Sequence, residues 1–369
     1  MHVGVPTKGH SAINRLYMET RIITRREEVD VGSEEWNRLL SLSETNTIFQ
    51  TYEWIWTWWT VFGHKYSLFL VEFWDRDRLL ALAPLMLDRT GMKCSLRFIG
   101  EEHSDYCDFI AGERKQEALT AIFDAIVSCK EWDVIQLKNV PESSTTVAAI
   151  RNFCGRTGKR LLETNGKYCP TLMIMGHEDH ARRVLRKKTV RRRCNYLKKA
   201  GDFKVFHVET VEEAMRYLEP FFAQHIKKWN GSSPSSLFLK QENRDFYHNL
   251  VYALLPGGLL LFTVLEFDGR PIAFHFGFDY ASKVIWYKPS YDPDYGRRSP
   301  GTVLLKHLIE YCLDRGRNEL DFTIGDEPFK RRYTNLVRKN GDFRIYNSNS
   351  RYFLEKSFWK LLHFRKMLG

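Results

Sequence analysis

Seven cysteines, Cys94, Cys107, Cys129, Cys154, Cys169, Cys194 and Cys312, are scattered without a single C-x-x-C pair. That spacing, with an odd total, argues against a disulfide framework or a zinc knuckle. The start, MHVGVPTKGHSAINRLY, has basic residues but no apolar stretch behind them of the kind a secretory signal carries. No later run approaches the roughly 18 uninterrupted apolar residues of a membrane-crossing helix. These absences lead to the expectation of a cytoplasmic protein. Acid is missing locally too: Arg182–Lys199 (RRVLRKKTVRRRCNYLKK) holds ten basic residues in eighteen and no carboxylate.

The 369 residues are 43% hydrophobic, more chain than one core usually organises, so two domains are expected. A net charge of +11 favours an acidic partner: a CoA-type nucleotide, a nucleic acid or an anionic membrane surface.

Hydrophobic periodicity predicts helices over Glu34–Leu42 and Thr51–Phe62, the second carrying Trp54, Trp58 and Trp59 at the spacing of a core stripe. Strands follow at Ser67–Phe73, Leu79–Leu87 and Ser95–Gly100, then the loop Glu101–Asp108, a helix at Gln116–Cys129 and a strand at Trp132–Leu137. The second half repeats this order, with helices Val211–Trp229 and Asn243–Leu255, strands Leu259–Phe267, Pro271–Phe278 and Lys283–Tyr287, the helix Gly301–Arg315 and the strand Glu319–Ile324. Asp105-Tyr106 and Asp294-Tyr295, like Trp132-Asp133 and Leu320-Asp321, lie about 190 residues apart, an offset that points to tandem copies of one unit. The fold class expected is α/β (α+β): two tandem domains, each a mixed, mostly antiparallel sheet flanked by helices.

The copies differ where chemistry is expected. In the second, Arg297-Arg298-Ser299-Pro300-Gly301-Thr302 reads as a tight turn opening a helix, with Ser299 at the N-cap and Pro300 at the first helical position. Gly301 and Thr302 would then present backbone N–H groups to a phosphate without a side chain in the way. The first copy has Ala111-Gly112-Glu113-Arg114-Lys115-Gln116-Glu117 there, with acids and no Pro-Gly turn. The anionic ligand is therefore assigned to the second copy.

Two further segments carry basic charge. Arg182–Lys199 reads either as a surface for tRNA, DNA or anionic lipid, or as a linking helix whose Val184, Leu185, Val190 and Leu197 pack inward while the arginines face water. The tail Arg351–Leu368 mixes apolar positions, among them Phe353, Leu354, Phe358, Trp359, Leu361, Leu362 and Leu368, with five Lys or Arg. It fits a helix docked on the neighbouring domain or one lying on a membrane.

Taken together, Phe49-Gln50, Trp54, Trp58-Trp59, Phe62-Gly63, Ala83-Pro84-Leu85, Asp105-Tyr106 with Asp108, Lys187 with Arg191-Arg192, His225 with Trp229, Tyr291-Asp292-Pro293, Ser299-Pro300-Gly301 and Asp321 through Lys330 give the chain a likeness. From about Trp36 to Tyr346 it resembles the CelD/BcsL-like acetyltransferases, relatives of the FemAB-type transferases in the Gcn5-related (GNAT) superfamily. Its turn Arg298–Val303 departs from the family's R/Q-x-x-G-x-G/A pattern at Val303. The resemblance implies two GNAT-like domains in tandem: 1–178, degenerate and on the acceptor side; a basic linking helix, 179–200; 201–346, the acyltransferase domain; and 347–369, the amphipathic tail. It implies acetyl-CoA or another acyl-CoA as donor, no metal, and direct attack of an amine or hydroxyl on the thioester.

On this reading Arg297, Arg298, Ser299, Gly301 and Thr302 hold the donor. Glu327 is the first choice to take the acceptor's proton, Lys330 to neutralise phosphate or oxyanion, and Tyr333 to donate to the leaving thiolate. Asp321 would point into the cleft from its strand, or pair with an arginine. Asp105, Tyr106 and Asp108 would grip the acceptor or fold their own loop, and His225 and Trp229, one helical turn apart, would line the cleft. The resemblance implies a saccharide or other small polar acceptor, in envelope or exopolysaccharide metabolism. The alternatives are a FemAB-like transferase drawing on aminoacyl-tRNA, the one reading with a nucleic-acid partner, and a non-catalytic scaffold at the membrane.

Overall fold

A computed structural model describes residues 18–91, 93–231 and 235–356. The first half runs β1 (Met18–Ile23), α1 (Ser33–Leu42), α2 (Tyr52–Phe62), β2 (Ser67–Asp75), β3 (Arg78–Asp88), β4 (Ser95–Phe98), β5 (Ile110–Ala111), α3 (Lys115–Ser128), β6 (Val134–Pro141), α4 (Thr145–Thr157) and β7 (Arg160–Met173). Helices α5 (Glu178–Arg186) and α6 (Lys188–Ala200) follow. The second half is β8 (Phe203–His207), α7 (Val211–Lys228), α8 (Gln241–Leu254), β9 (Leu260–Phe267), β10 (Arg270–Tyr280), β11 (Lys283–Tyr291), α9 (Pro300–Asp314), β12 (Glu319–Asp321), α10 (Pro328–Arg331) and β13 (Leu336–Tyr346).

The strands make one mostly antiparallel sheet in the order β1-β2-β3-β4-β6-β13-β7-β12-β11-β10-β9-β8, with β5 on β3. Read inward from either edge, the order is the same: four antiparallel strands, then a parallel step, β4 to β6 in one half and β11 to β12 in the other. The repeat expected from the sequence is thus present in the topology. The halves also exchange their last strands: β7, from the first, pairs with β12, and β13, from the second, pairs with β6, while β7 and β13 pair with each other at the centre.

Strands buried on both faces need apolar residues at successive positions. In β2, Leu68 and Leu70 face one core, whereas Phe69, Val71 and Phe73 face another. Helices α1, α2, α7 and α8 cover the first face across both halves, sharing one aromatic core in which Trp54 meets Phe246 at 5.3 Å and Phe278 at 5.7 Å. Helices α3 and α4 cover the opposite face of the first half; α5, α6 and α9 cover that of the second. The tryptophan stripe is core: Trp54 and Trp58 are fully buried and Trp59 is packed against them.

Two local expectations change. The basic segment forms two helices, broken at Lys187 where ψ is 131°, with Val184, Val190 and Leu197 buried and Arg182, Arg183, Arg186, Arg191 and Arg192 exposed. The tail is described only to Lys356: residues 349–356 are helical, and Glu355 accepts from Lys93, Arg344 and the Tyr346 hydroxyl, while Phe353 and Leu354 are exposed. The remaining tail lies outside the described residues.

Candidate active site

The site begins where two parallel strands part. β11 pairs with β12 only from Lys283 to Ile285, then continues beside β10 as far as Tyr291. Its other edge is left without a strand. After Asp321 the chain turns away through Thr323 at φ 54° and Gly325 at φ 138°, backbone states that cost energy and collect at functional sites. A cavity of about 1020 Å³ opens in the gap.

Helix α9 points its start into this cavity: Ser299, Pro300, Gly301 and Thr302 all line it. Buried Val303, Leu304, Leu305 and Leu308 fix the helix against the sheet, so Val303 serves packing at the position where the family pattern has a small residue. Ser299 is the N-cap, as expected, but in the left-handed region (φ 53°), and its hydroxyl makes no capping bond. Thr302 N–H is engaged by Ser299 O at 3.0 Å, leaving Gly301 the better placed of the two expected amides. A Cβ on Gly301 would meet only Tyr291, at 3.6 Å.

Glu327, Lys330 and Tyr333 line the same cavity, as do Asp105, His225 and Trp229. Lys330 is buried, 3.0 Å from Glu327 and donating to Ile324 O at 2.9 Å. The glycine at 325 is required by that pair: a Cβ there would stand 2.2 Å from Glu327 Oε2 and 2.5 Å from Lys330 Nζ. His225 bonds through Nδ1 to Ser236 Oγ at 2.8 Å and stacks on Trp229. Burial, helped by Lys228 and Lys288, pulls its pKa down to about 3. The ring is therefore neutral and a weak base.

Five expected site residues stand outside the lining. Asp321 is fully buried with its carboxylate turned to the first half, accepting from the Tyr106 hydroxyl at 3.0 Å and from Thr323 N–H at 2.8 Å. It neither opens into the cleft nor pairs with an arginine, because the parting of the strands begins just beyond it. Burial pushes its pKa up to about 6, with Glu319 adding to the effect. Tyr106 is consequently a strut between the halves. Asp108 is buried at the first half's own loop, accepting from Thr45 and from Phe109 N–H. Arg298 lies over the rings of Phe267 and Tyr295, at 4.4 and 5.4 Å, and Arg297 is exposed on the turn Pro293–Arg298.

Residues 185–331 match the model of the acetyltransferase (GNAT) domain family. This stretch of the chain is a GNAT acetyltransferase domain. It spans α6 to α10 and every residue that lines the cavity except Asp105, Arg332 and Tyr333. No curated protein matches the sequence. Among solved structures the fold is similar to FemX (TM-score 0.64, 12% identity, 88% of this chain and 98% of that one). It is also similar to a conserved protein of unknown function from Bacteroides thetaiotaomicron (0.56, 12%, 86% and 99%) and to L-PGS from Bacillus licheniformis (0.53, 13%, 90% and 97%). Residues 185–331 therefore give the chain an acyltransferase domain.

The GNAT domain supplies several cavity residues that periodicity did not single out. Lys228 closes α7 and stands 4.6 Å over the Tyr291 ring; Lys288, on β11, stands 3.9 Å over Tyr287. Burial lowers the pKa of both, that of Lys228 to about 8. With Lys187, Arg193, Lys330 and Arg332 they make six cationic lining residues, against the two carboxylates Asp105 and Glu327. Such a wall attracts anions before any specific contact forms. Trp286 Nε1 and Ser290 Oγ, also on β11, are buried without a hydrogen-bond partner among the described residues. No His/Cys/Asp/Glu group suited to a metal occurs among them either, and none of their helices is long and apolar enough to cross a membrane.

Proposed function

We propose that the chain transfers an acyl group from acyl-CoA, acetyl-CoA first among them, to an amine or hydroxyl of a small polar acceptor. The observation that carries this is the start of α9 opening onto a cationic cavity beside the unpaired edge of β11. A helix start with no acid in its first turn suits a pyrophosphate. The bare strand edge suits an amide-bearing pantetheine arm lying alongside it as an added strand, and the unsatisfied Trp286 and Ser290 groups offer it further polar contacts. Gly301 meets the phosphate; Lys187 and Arg193 line the same cavity.

In the reaction the acceptor nitrogen or oxygen bonds to the thioester carbonyl carbon, the C–S bond breaks, and the thiolate takes a proton. Glu327 accepts the proton lost by the acceptor, directly or through water. Lys330, held between Glu327 and Ile324 O, places positive charge where the oxyanion develops, and Tyr333 protonates the thiolate. A saccharide acceptor and a role in exopolysaccharide or envelope synthesis follow from the family likeness alone. Reaction on a soluble thioester fits a protein working in the cytoplasm, with the tail as an optional membrane contact.

The outward basic faces of α5 and α6, next to the cavity, favour a second reading in which the donor is an aminoacyl-tRNA. Thermal-shift titration separates the two. Under the first, acetyl-CoA raises the melting temperature, about 2.7 kcal/mol of stabilisation at a hundredfold excess over Kd. No stabilisation by any CoA thioester, together with salt-sensitive tRNA binding, decides for the second.

A further inference from the structure

Of the six cations in the cavity only Lys330 has a carboxylate partner among the described residues, and of the other five Lys228 and Lys288 are the two carried by α7 and β11. Lys330 is paired with Glu327, and Lys187 donates to Arg332 O at 2.5 Å. Lys228 and Lys288 form no ion pair and no side-chain hydrogen bond among the described residues; aromatic faces stand beside them, Tyr291 and Trp229 for one and Tyr287 for the other, and Glu327 acts on Lys228 from beyond ion-pair distance. A ring face attracts an ammonium without neutralising it. Both lysines act electrostatically on the same His225 ring, so they share one region. Asp105 and Lys330 act on Lys288 with opposite sign, and Asp105 lies beyond ion-pair distance. Asp105 is the one lining residue contributed by the first half, and its charge reaches Lys288, so the end of the cavity served by these two is assigned to the acceptor.

Holding two part-buried ammonium groups without a carboxylate is costly unless a ligand brings the missing charge. The donor's pyrophosphate already has the start of α9, Lys187 and Arg193. We propose that the acceptor carries an oxyanion, a phosphate or a carboxylate, seated by Lys288 with the help of Lys228. The proposal rests on the acyl-CoA reading and narrows it: a neutral sugar or plain amine is a poor acceptor, and a sugar phosphate or an amino acid a good one. Asp105, facing the same end, is left to receive the ammonium or hydroxyl of that acceptor, beside its anion.

The test uses the full chain saturated with CoA, so that the start of α9 is filled. Inorganic phosphate and acetate are then titrated at constant ionic strength against chloride, read by thermal shift and calorimetry. Saturable stabilisation by one of them is expected in the parent protein, reduced at least tenfold in Lys288→Met, several-fold in Lys228→Met, and retained in Lys288→Arg. CoA affinity should change less than threefold in Lys288→Met. The unliganded Lys288→Met protein should melt no lower than the parent, since an uncompensated charge is removed; Lys288→Arg decides the matter if it does not fold. Equal anion effects in parent and Lys288→Met, or no saturable effect in either, overturn the proposal. So does a tenfold loss of CoA affinity in Lys288→Met, which would assign the lysine to the donor. A failure of the acyl-CoA reading shows separately, as absence of any CoA effect, and the phosphate titration in Gly301→Trp then judges Lys288 alone.

Discussion

Helix α3 is entered through Arg114 at φ 55° and α9 through Ser299 at φ 53°, so the two halves turn into their central helix by the same left-handed step. What surrounds that step differs. In the first half Gly112 is closed over by Leu39 and Leu42, at 3.2 and 3.4 Å from where its Cβ would stand, and Glu117 sits in the helix's first turn. In the second half the same place opens into the cavity, no acid occupies the first turn, and α7 brings His225, Lys228 and Trp229 where α1 brought leucines. An α/β repeat can therefore keep its backbone geometry while its ligand pocket is filled with core. What distinguishes a site from a scaffold here is three or four side chains over a helix start, and each prediction below alters one side of that contrast.

The largest effect is expected from closing the open helix. Gly301→Trp has room at Cβ, beside Tyr291, and its backbone needs no special φ, so folding should survive. CoA affinity should fall by more than about a thousandfold, roughly 4 kcal/mol. The equivalent change at the closed helix, Gln116→Trp on an exposed position, should leave CoA affinity untouched. Calorimetric titration of both variants checks the pair, and equal CoA affinity in Gly301→Trp and parent would remove the donor from α9.

On the open side, Glu327→Gln should lower kcat by about a hundredfold or more while CoA affinity holds. Steady-state kinetics and pH–rate profiles of the variant and the parent check this. A parent-like kcat would hand the base role to another group. Because His225 is held neutral with a pKa near 3, no limb near the ordinary histidine value is expected from it.

Much of this contrast was readable in the sequence, and the reason is locality. The helix found at Pro300–Asp314 was predicted over Gly301–Arg315 because its proline, glycine and apolar spacing are all within one segment, and Glu327 and Lys330 share one short loop. The exchanged strands were not predicted. β7 carries Asn165-Gly166 and Pro170, and β13 interrupts its alternation at Gly341, where its register shifts; each gains its place only from a partner in the other half. Lys228 and Lys288 were missed for the same reason. Neither stands in a motif, and the two come together only because β11 and β12 part. Asp321 was expected in the cleft from strand alternation, which gives a face but not the point at which a strand ends.

The joint between the halves can be probed without touching either helix start. Asp321→Asn keeps an acceptor for both Tyr106 and Thr323, which donate to one oxygen, Oδ1. With its pKa raised from 3.8 to about 6 in the fold, Asp321 keeps its proton when folded while the unfolded chain has lost it. Its contribution is thus fully present below about pH 4 and is lost as pH rises through about 6. Denaturant titrations should show parent stability falling across that window and the variant flat, leaving the variant more stable at pH 7 by about 1–3 kcal/mol. A parent curve as flat as the variant's would mean the carboxylate is ionised in the fold.

The smallest effect separates an arginine that looks like a phosphate ligand from one that is. Arg298 is close in sequence to Gly301, yet its guanidinium lies over Phe267 and Tyr295, and one of its terminal nitrogens is buried without a hydrogen-bond partner among the described residues. Arg298→Met keeps the stem and removes the cation over the rings. The expected cost is about 1 kcal/mol of stability, with CoA affinity changed less than threefold. The closed half has Arg114 just before α3, and there the guanidinium pairs with exposed Glu117, so Arg114→Met should cost only a few tenths of a kcal/mol. If Arg298→Met instead weakens CoA binding tenfold while stability holds, the arginine swings from the rings to the phosphate when the donor arrives, and the open half is more mobile than its packing implies.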